Sequence, residues 1–240
     1  MSAQPAKQTR WKNFIAEVAA CTRCPGMCER TPVFSELNGS PHARIMFIGE
    51  APGRKGADRT RVPFSGDQSG QNFARFLAAI NLRRSEIFIT SAALCNPRAE
   101  SGANRKPSRT ELSNCSSWLR RTIELVDPAV VVTLGSVALD ALKAIAPHNL
   151  TLKESAARIH SWEGRILVPI YHPSPQVLAS HRRDAQQLSD YRVVARAIEQ
   201  ASVLLSEPPA SAGGPLLSEP PASAGGPLGS RMPVPKKATI

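Results

Sequence analysis

The chain lacks any apolar stretch of about 18 residues, the length that a membrane-spanning helix needs. The N-terminal segment MSAQPAKQTRWKN also lacks the apolar centre of a secretory signal peptide. We therefore expect an intracellular, cytoplasmic protein that has no membrane partner. Thiols stay reduced in that compartment, so a group of cysteines would serve a metal or cluster site rather than a disulfide framework.

Acidic residues are scarce as well. The 240 residues include 19 Asp and Glu against 30 Lys and Arg, which gives a formal net charge of +11. A protein this basic usually meets a polyanion, and nucleic acid is the commonest one. The excess lies before residue 203, because the remainder holds only three basic and two acidic residues.

The C-terminal segment lacks the residues that build a core. LLSEPPASAGGP occurs at 204–215 and again, unchanged, at 216–227. A repeat rich in Pro, Ala, Gly and Ser cannot bury enough apolar surface to fold. We predict one domain over residues 1–202 and a disordered tail over residues 203–240.

Strand and helix patterns alternate within the predicted domain. Strands are predicted over 44–50, 87–94, 129–135 and 165–170, and helices over 9–21, 69–82, 107–126, 136–145 and 182–201. This order predicts an α/β fold with a doubly wound, mostly parallel central sheet and helices on both faces. Ligands of such sheets bind beyond the carboxyl ends of the strands. We therefore expect a site formed by the loops after Ile48, Leu94 and Tyr171.

The loop GEAPGRKGADRTRVPFSGD at 49–67 follows the first strand. It lacks the Gly-Lys-Ser/Thr ending of a P-loop and the G-x-G-x-x-G spacing of a dinucleotide fingerprint. Its Gly and Pro residues allow a ligand to approach the backbone closely. The ring of Phe64 either stacks on a base or fixes the loop to the core. The acids of the loop are Glu50, Asp58 and Asp67.

Four of the five cysteines form a metal-ligand pattern. Cys21 and Cys24 make a C-x-x-C pair, Cys95 follows a predicted strand and Cys115 lies in a predicted helix. Four thiolates from two separated segments suit tetrahedral zinc or a cubane iron–sulfur cluster. The alternative is that these cysteines are small buried hydrophobes. In the metal case Cys28 is the spare cysteine.

The segment YHPSP places His172 directly after an apolar strand, at the edge where we expect the site. A lone histidine is often structural, so a structural and a functional role both stay open at this point. The segment SHRR at 180–183 adds cations that suit phosphate contacts.

Taken together, these motifs resemble the uracil-DNA glycosylase superfamily in its iron–sulfur branch. The likeness spans roughly residues 15–200 and includes GEAPG, PFSGD and HPS, in the family's order. The cysteine pattern is its strongest part. GEAPG and the C-x-x-C pair look like family 4, whereas KGADRTRVPFSGDQSG and TSAALC look more like family 5. Ser91 corresponds to the asparagine that reads the edge of uracil in family 4.

The resemblance implies an enzyme that flips uracil out of DNA and hydrolyses its N-glycosidic bond, leaving an abasic site. It implies that His172 stabilises the uracil oxygen that becomes negative. It assigns the water or the sugar cation to Asp67 or Glu50, and then to Asp58. The implied uracil-binding residues are Gly49, Glu50, Ala51, Phe64, Ser91 and His172. The implied DNA contacts are Ser174, Gln176, Val177, Leu178, Arg182 and Arg183.

The resemblance also implies a structural 4Fe-4S cluster on Cys21, Cys24, Cys95 and Cys115, with zinc as the alternative occupant. The implied partner is uracil-containing DNA, and we expect a monomer. Two other functions fit the same motifs. One is a non-enzymatic protein that binds uracil-containing or abasic DNA on the same fold, and the other is an iron–sulfur redox protein.

Overall fold

The computed structural model of the protein describes residues 4–27 and 29–206. Cys28 and residues 207–240, which include most of the predicted tail, lie outside the described residues. In the described part of the chain, no helix is both long enough and apolar enough to cross a membrane.

The centre of the fold is a five-stranded sheet in the order β2-β1-β3-β5-β4. Its strands are β1 Ile45–Gly49, β2 Ile87–Ser91, β3 Val130–Leu134, β4 His160–Trp162 and β5 Arg165–Ile170. Four strands are parallel, and only β4 runs antiparallel, beside β5. The chain extends the sheet first from β1 to β2 and then from β1 to β3 in the other direction. The doubly wound, mostly parallel sheet is therefore confirmed.

Eight α-helices accompany the sheet in the described residues. They are α1 Gln4–Ala19, α2 Ala57–Thr60, α3 Gln68–Ala78, α4 Arg109–Val126, α5 Ser136–Ala141, α6 Leu152–Ser155, α7 Pro175–Ser180 and α8 Asp184–Ser206. The predicted capping box of α4 is present, since Ser108 Oγ accepts a hydrogen bond from the N–H of Glu111. Helix α8 continues to Ser206, four residues beyond the predicted domain end at residue 202.

Alternate residues of the strands pack into two cores. Met46 and Ile48 face a core that also contains Trp11 of α1 and Trp118 of α4. Ile45, Phe47 and Val132 face the opposite core, which is built with residues of α3 and α8. The predicted cover of helices on both faces follows from this alternation, because each of the four parallel strands buries apolar side chains on both sides.

Three local features differ from the sequence predictions. β2 ends at Ser91 rather than at residue 94, because β1, its neighbour in the sheet, ends at Gly49, the residue that pairs with Ser91. β4 was not predicted, since three residues are too few to show an alternating pattern. Helix α7 begins at Pro175, inside the segment predicted as a loop, and Ser174 caps it.

Gly70 allows α3 to pack closely against the preceding loop. A Cβ at this position would lie 2.5 Å from the carbonyl oxygen of Phe64. We expect Gly70→Ala to lower the free energy of unfolding by about 1–3 kcal/mol, because the backbone must move. Urea denaturation measures this loss. Gly26→Ala is the control, because a Cβ there meets no described heavy atom within 4 Å. Equal losses in the two variants would contradict the steric explanation.

Candidate active site

A cleft of about 320 Å³ opens at the carboxyl edge of the sheet. The loops after β1, β2 and β5 all contribute to it, as the sequence predicted. Of the predicted site residues, those that line it are Glu50, Ala51, Phe64, Asp67, Ser91, His172, Ser174, Gln176 and Val177. The further lining residues are Pro52, Gly53, Ala57, Pro63, Ser69, Asn96, Pro97, Asn104 and Arg105.

Phe64 both anchors its loop and forms part of the cleft wall. Its ring centroid lies 4.7 Å from that of Phe73 in α3 and 5.4 Å from that of His172. Gly49 lies beneath the ring, since a Cβ there would be only 3.1 Å from the Cε2 of Phe64. Phe64 has a φ of 52°, a left-handed conformation that is uncommon outside glycine. The packing roles and the stacking role predicted for this ring are therefore compatible.

His172 lies where β5 leaves the sheet. Burial lowers the pKa of His172 to about 4, while the nearby Asp67 carboxylate acts in the opposite direction. The imidazole is therefore neutral at pH 7. A neutral imidazole can donate one hydrogen bond without carrying a positive charge.

The three acids of the loop have different environments. Burial raises the pKa of Glu50, and Lys106 acts in the opposite direction. Asp67 Oδ1 accepts a hydrogen bond from the Gly70 N–H at 2.9 Å and so caps α3. Asp67 Oδ2 has no hydrogen-bond partner within residues 4–27 and 29–206. Asp58 does not line the cleft, because Arg98 holds its carboxylate at 2.5 Å.

Two asparagines that the sequence analysis missed hold the wall of the cleft. Asn96 is fully buried, and its Nδ2 donates to the carbonyl of Pro52 at 2.6 Å and to Asn104 Oδ1 at 3.0 Å. Asn104 Oδ1 also accepts from the backbone N–H of Arg54 at 3.0 Å. Their signal was their place in the segment NPRAESGANRKP, which follows β2 at the functional edge.

Four other predicted residues also lie outside the cleft lining. Gly49 is covered by the Phe64 ring. Leu178 packs against the core on the α3 and α8 side. Arg182 pairs with the buried Asp190 at 2.5 Å, so its charge is largely neutralised. Arg183 is exposed on the segment that joins α7 to α8.

The four predicted ligand cysteines come together in a second, smaller pocket beside α4. Cys21, Cys24, Cys95 and Cys115 all line it. Trp118 Nε1 donates to Cys21 Sγ at 3.3 Å, and Asn114 Nδ2 donates to Cys24 Sγ at 3.4 Å. Burial, together with the neighbouring thiols, raises the pKa of Cys95 to about 12.

Convergence of four thiols is the donor set of an iron–sulfur cluster, and N–H donors to sulfur are typical of its surroundings. The raised pKa of Cys95 indicates that a thiolate at this position is unfavourable without a nearby cation. Across residues 4–27 and 29–206, however, no three His, Cys, Asp or Glu side chains are arranged to hold a metal ion. The donor chemistry therefore fits a cluster, whereas the ligand geometry is not formed.

Comparison with known proteins identifies the family to which the chain belongs. The model of the uracil DNA glycosylase superfamily matches residues 37–193. The chain belongs to this family. It is 28% identical over 229 residues to the type-5 uracil-DNA glycosylase of Pyrobaculum aerophilum, a match that covers 81% of this chain and 95% of that protein.

Relatives of a second type match over similar lengths. The type-4 uracil-DNA glycosylase of Saccharolobus solfataricus is 31% identical over 196 residues, which are 79% of this chain and 87% of that protein. The type-4 uracil-DNA glycosylase of Archaeoglobus fulgidus is 28% identical over 188 residues, which are 74% of this chain and 91% of that protein. The mixture of family 4 and family 5 features predicted from the motifs is confirmed.

The lowered pKa of His172 predicts how stability depends on pH. The unfolded chain takes up a proton on this side chain near pH 6.5, whereas the folded protein does so only near pH 4. Stability is therefore lost as the pH falls through this window. We expect His172→Gln to remove up to about 3 kcal/mol of that loss. Urea unfolding at pH 7 and pH 4.5 measures it, with the exposed His42→Gln as control. A pH dependence unchanged in His172→Gln would contradict the burial of the imidazole.

Proposed function

We propose that the protein is a DNA repair enzyme that hydrolyses the N-glycosidic bond of uracil in DNA and leaves an abasic site. The observation that carries this proposal is the pair formed by the Phe64 ring and the neutral His172 imidazole in one cleft, with ring centroids 5.4 Å apart. The type-4 and type-5 relatives are named for the same reaction.

The cleft suits a flipped base. A base must leave the duplex stack before its glycosidic bond can be reached. The Phe64 ring then stacks on one face of uracil, and the backbone of Gly49, Glu50 and Ala51 borders its edge. Ser91, at the end of β2, is the side chain nearest in register to Gly49, and it takes part in reading that edge.

His172 acts on the departing base. In the transition state the sugar gains positive charge and uracil gains negative charge. A neutral imidazole N–H donates to the uracil oxygen that becomes negative, and a preorganised donor of this kind stabilises the transition state more than the ground state. No proton needs to be removed from His172 beforehand, because the site already keeps it neutral.

Asp67 is the acid best placed to serve the sugar side. One of its carboxylate oxygens is fixed by Gly70, so the carboxylate has a set orientation in the cleft wall. Its other oxygen accepts a hydrogen bond from the attacking water or faces the sugar cation. Glu50 suits this role less, because burial favours its protonated form. Asp58 suits it least, because Arg98 already neutralises its carboxylate.

DNA lies across the mouth of the cleft. Helix α7 presents Gln176 and Val177 beside the cleft, from where they fill the gap that the flipped base leaves in the duplex. Arg183 and Ser174 contact phosphates on this side, whereas Arg182 is occupied by Asp190. The exposed cations Arg54, Lys55 and Lys106 lie in the segments that form the opposite wall, and they add phosphate contacts there.

Excision by the wild-type protein and by His172→Ala tests the reaction. We expect abasic sites in single- and double-stranded oligonucleotides that contain uracil, and a rate about 100-fold lower in His172→Ala, the scale of losing one charge-stabilising donor. The control is His42→Ala, since His42 is exposed outside the cleft. Binding of uracil-containing DNA without turnover by the wild type would instead favour the non-enzymatic reading. An unchanged rate in His172→Ala would refute the role of the imidazole.

We also infer that Cys21, Cys24, Cys95 and Cys115 hold a 4Fe-4S cluster. The support is their shared pocket, the N–H donors on two of the sulfurs and the likeness to type-4 relatives. When bound, the cluster supplies four strong bonds that join the segment after α1, the loop after β2 and α4. The ligands come from three separate segments, so its contribution is structural.

Iron content tests the cluster. Cys95→Ala should lose iron, the visible absorbance of the cluster and thermal stability, because one of four ligands is missing. Cys28→Ala is the matched control and should keep its iron. Stoichiometric zinc without iron in the purified protein would contradict the assignment.

A further inference from the structure

The backbone on both sides of His172 has no regular structure to hold it. β5 ends at Ile170, and α7 begins only at Pro175. Prolines at 173 and 175 remove two N–H donors that could anchor the segment. The position of the imidazole must therefore depend on other contacts.

Two buried side-chain amides make those contacts. Gln187 of α8 donates its Nε2 to the carbonyl oxygen of Tyr171 at 2.5 Å. Asn72 of α3 donates its Nδ2 to the carbonyl oxygen of Pro173 at 2.9 Å. The two carbonyl groups belong to the residues immediately before and after His172. Helix α8 thus holds the residue before the histidine, and α3 holds the residue after it.

Burial makes these two hydrogen bonds significant. Both amides are polar, yet both lie on the core-facing sides of their helices. Gln187 is 0% exposed and Asn72 is 7% exposed. A buried amide without a partner is costly, so apolar residues would serve packing better at both positions. Asn72 is satisfied on both sides, because its Oδ1 also accepts from Gln68 at 3.2 Å. The amides are therefore placed to bind the two carbonyl groups.

Gly135 restricts His172 from a third direction. A Cβ at Gly135 would lie 3.6 Å from the Cβ of His172, and the Gly135 N–H donates to the carbonyl of Ile170 at 2.8 Å. The loop after β3 therefore packs against the Cβ of His172 and against the end of β5. The carbonyl groups of Tyr171 and Pro173 are then the positions at which α8 and α3 set the orientation of His172.

We propose that Asn72 and Gln187 are positioning residues that fix the imidazole of His172 for excision. This inference rests on the proposed role of His172. Neither amide lines the cleft, so both act through the backbone of residues 171–173. A displacement of about 1 Å at a reacting group can cost about 100-fold in rate, so small shifts of this backbone are enough.

Variants that remove each donor test the proposal. Gln187→Met keeps the length of the side chain but cannot donate, and Asn72→Leu removes the donor on the other helix. We expect each to lower kcat by about 10- to 100-fold while KM changes much less. Tyr191→Phe is the matched control, because its buried hydroxyl lies one turn from Gln187 and has no hydrogen-bond partner among the described residues. It should keep the wild-type kcat.

A double-variant cycle separates positioning from a general structural role. With His172→Ala in the same chain, Gln187→Met should cause no further loss of rate, because the group that it positions is gone. An additive loss would overturn the proposal. So would wild-type kcat in folded Gln187→Met and Asn72→Leu, checked by thermal unfolding. If one variant does not fold, the other decides, because the two amides belong to different helices.

An NMR titration of the histidines gives a readout that needs no excision. We expect the imidazole pKa of His172 to rise from about 4 toward its ordinary value of 6.5 in Gln187→Met, because a loosened segment exposes the ring. An unchanged value would overturn the positioning role. A wild-type protein that fails to excise uracil would overturn the proposed function alone, since the titration still reports on the position of the ring.

Discussion

The close packing of α3 against the loop before it sets the positions of the groups in the cleft. Within seven residues this contact includes the Phe64 ring, the Asp67 cap and Gly70, whose missing side chain lets the backbones meet. Two residues later, Asn72 reaches the carbonyl of Pro173. One short stretch of chain thus orients an aromatic ring, a carboxylate and the segment that carries the histidine. A helix held further from the loop would disperse all three.

The cysteine pocket and the cleft share structural elements. Cys95 lines the first, and its neighbour Asn96 holds the carbonyl of Pro52 in the wall of the second. Arg61, from the loop that carries Phe64, donates to the carbonyls of Thr31 and Pro32, and Pro32 lines the cysteine pocket. Cys95 and Pro32 therefore connect the cysteine pocket to the cleft wall through the backbone, although the two sites are separate pockets.

Three ion pairs lie near the cleft. Asp58 binds Arg98, Glu111 binds Arg105 and Asp190 binds Arg182. These half-buried pairs fasten loops rather than contact a ligand. The groups left to act on a substrate include the Asp67 carboxylate, with one fixed oxygen, and the neutral His172 imidazole. A neutral hydrogen-bond donor suits a reaction in which charge develops only in the transition state, because the donor is already in place when the charge appears.

The sequence by itself determined the α/β class, the parallel sheet and the family. Apolar runs and helical periods show which residues of a segment must be buried, and these patterns can be recognised within that segment alone. The sequence also identified nine of the eighteen residues that line the cleft, because residues that follow parallel strands meet at one edge of the sheet. His172 and Phe64 were found in this way.

Only the tertiary structure decided the pairing of the charges and the support of the histidine. The sequence does not indicate that Arg98 reaches Asp58 or that Asp190 occupies Arg182, because these partners are brought together by the fold. The same is true of Asn72, 101 residues from the carbonyl that it binds, and of the asparagines in the cleft wall. A polar side chain at a buried position has meaning only once its partner is known, since the cost of burial is offset by a bond that long-range packing creates.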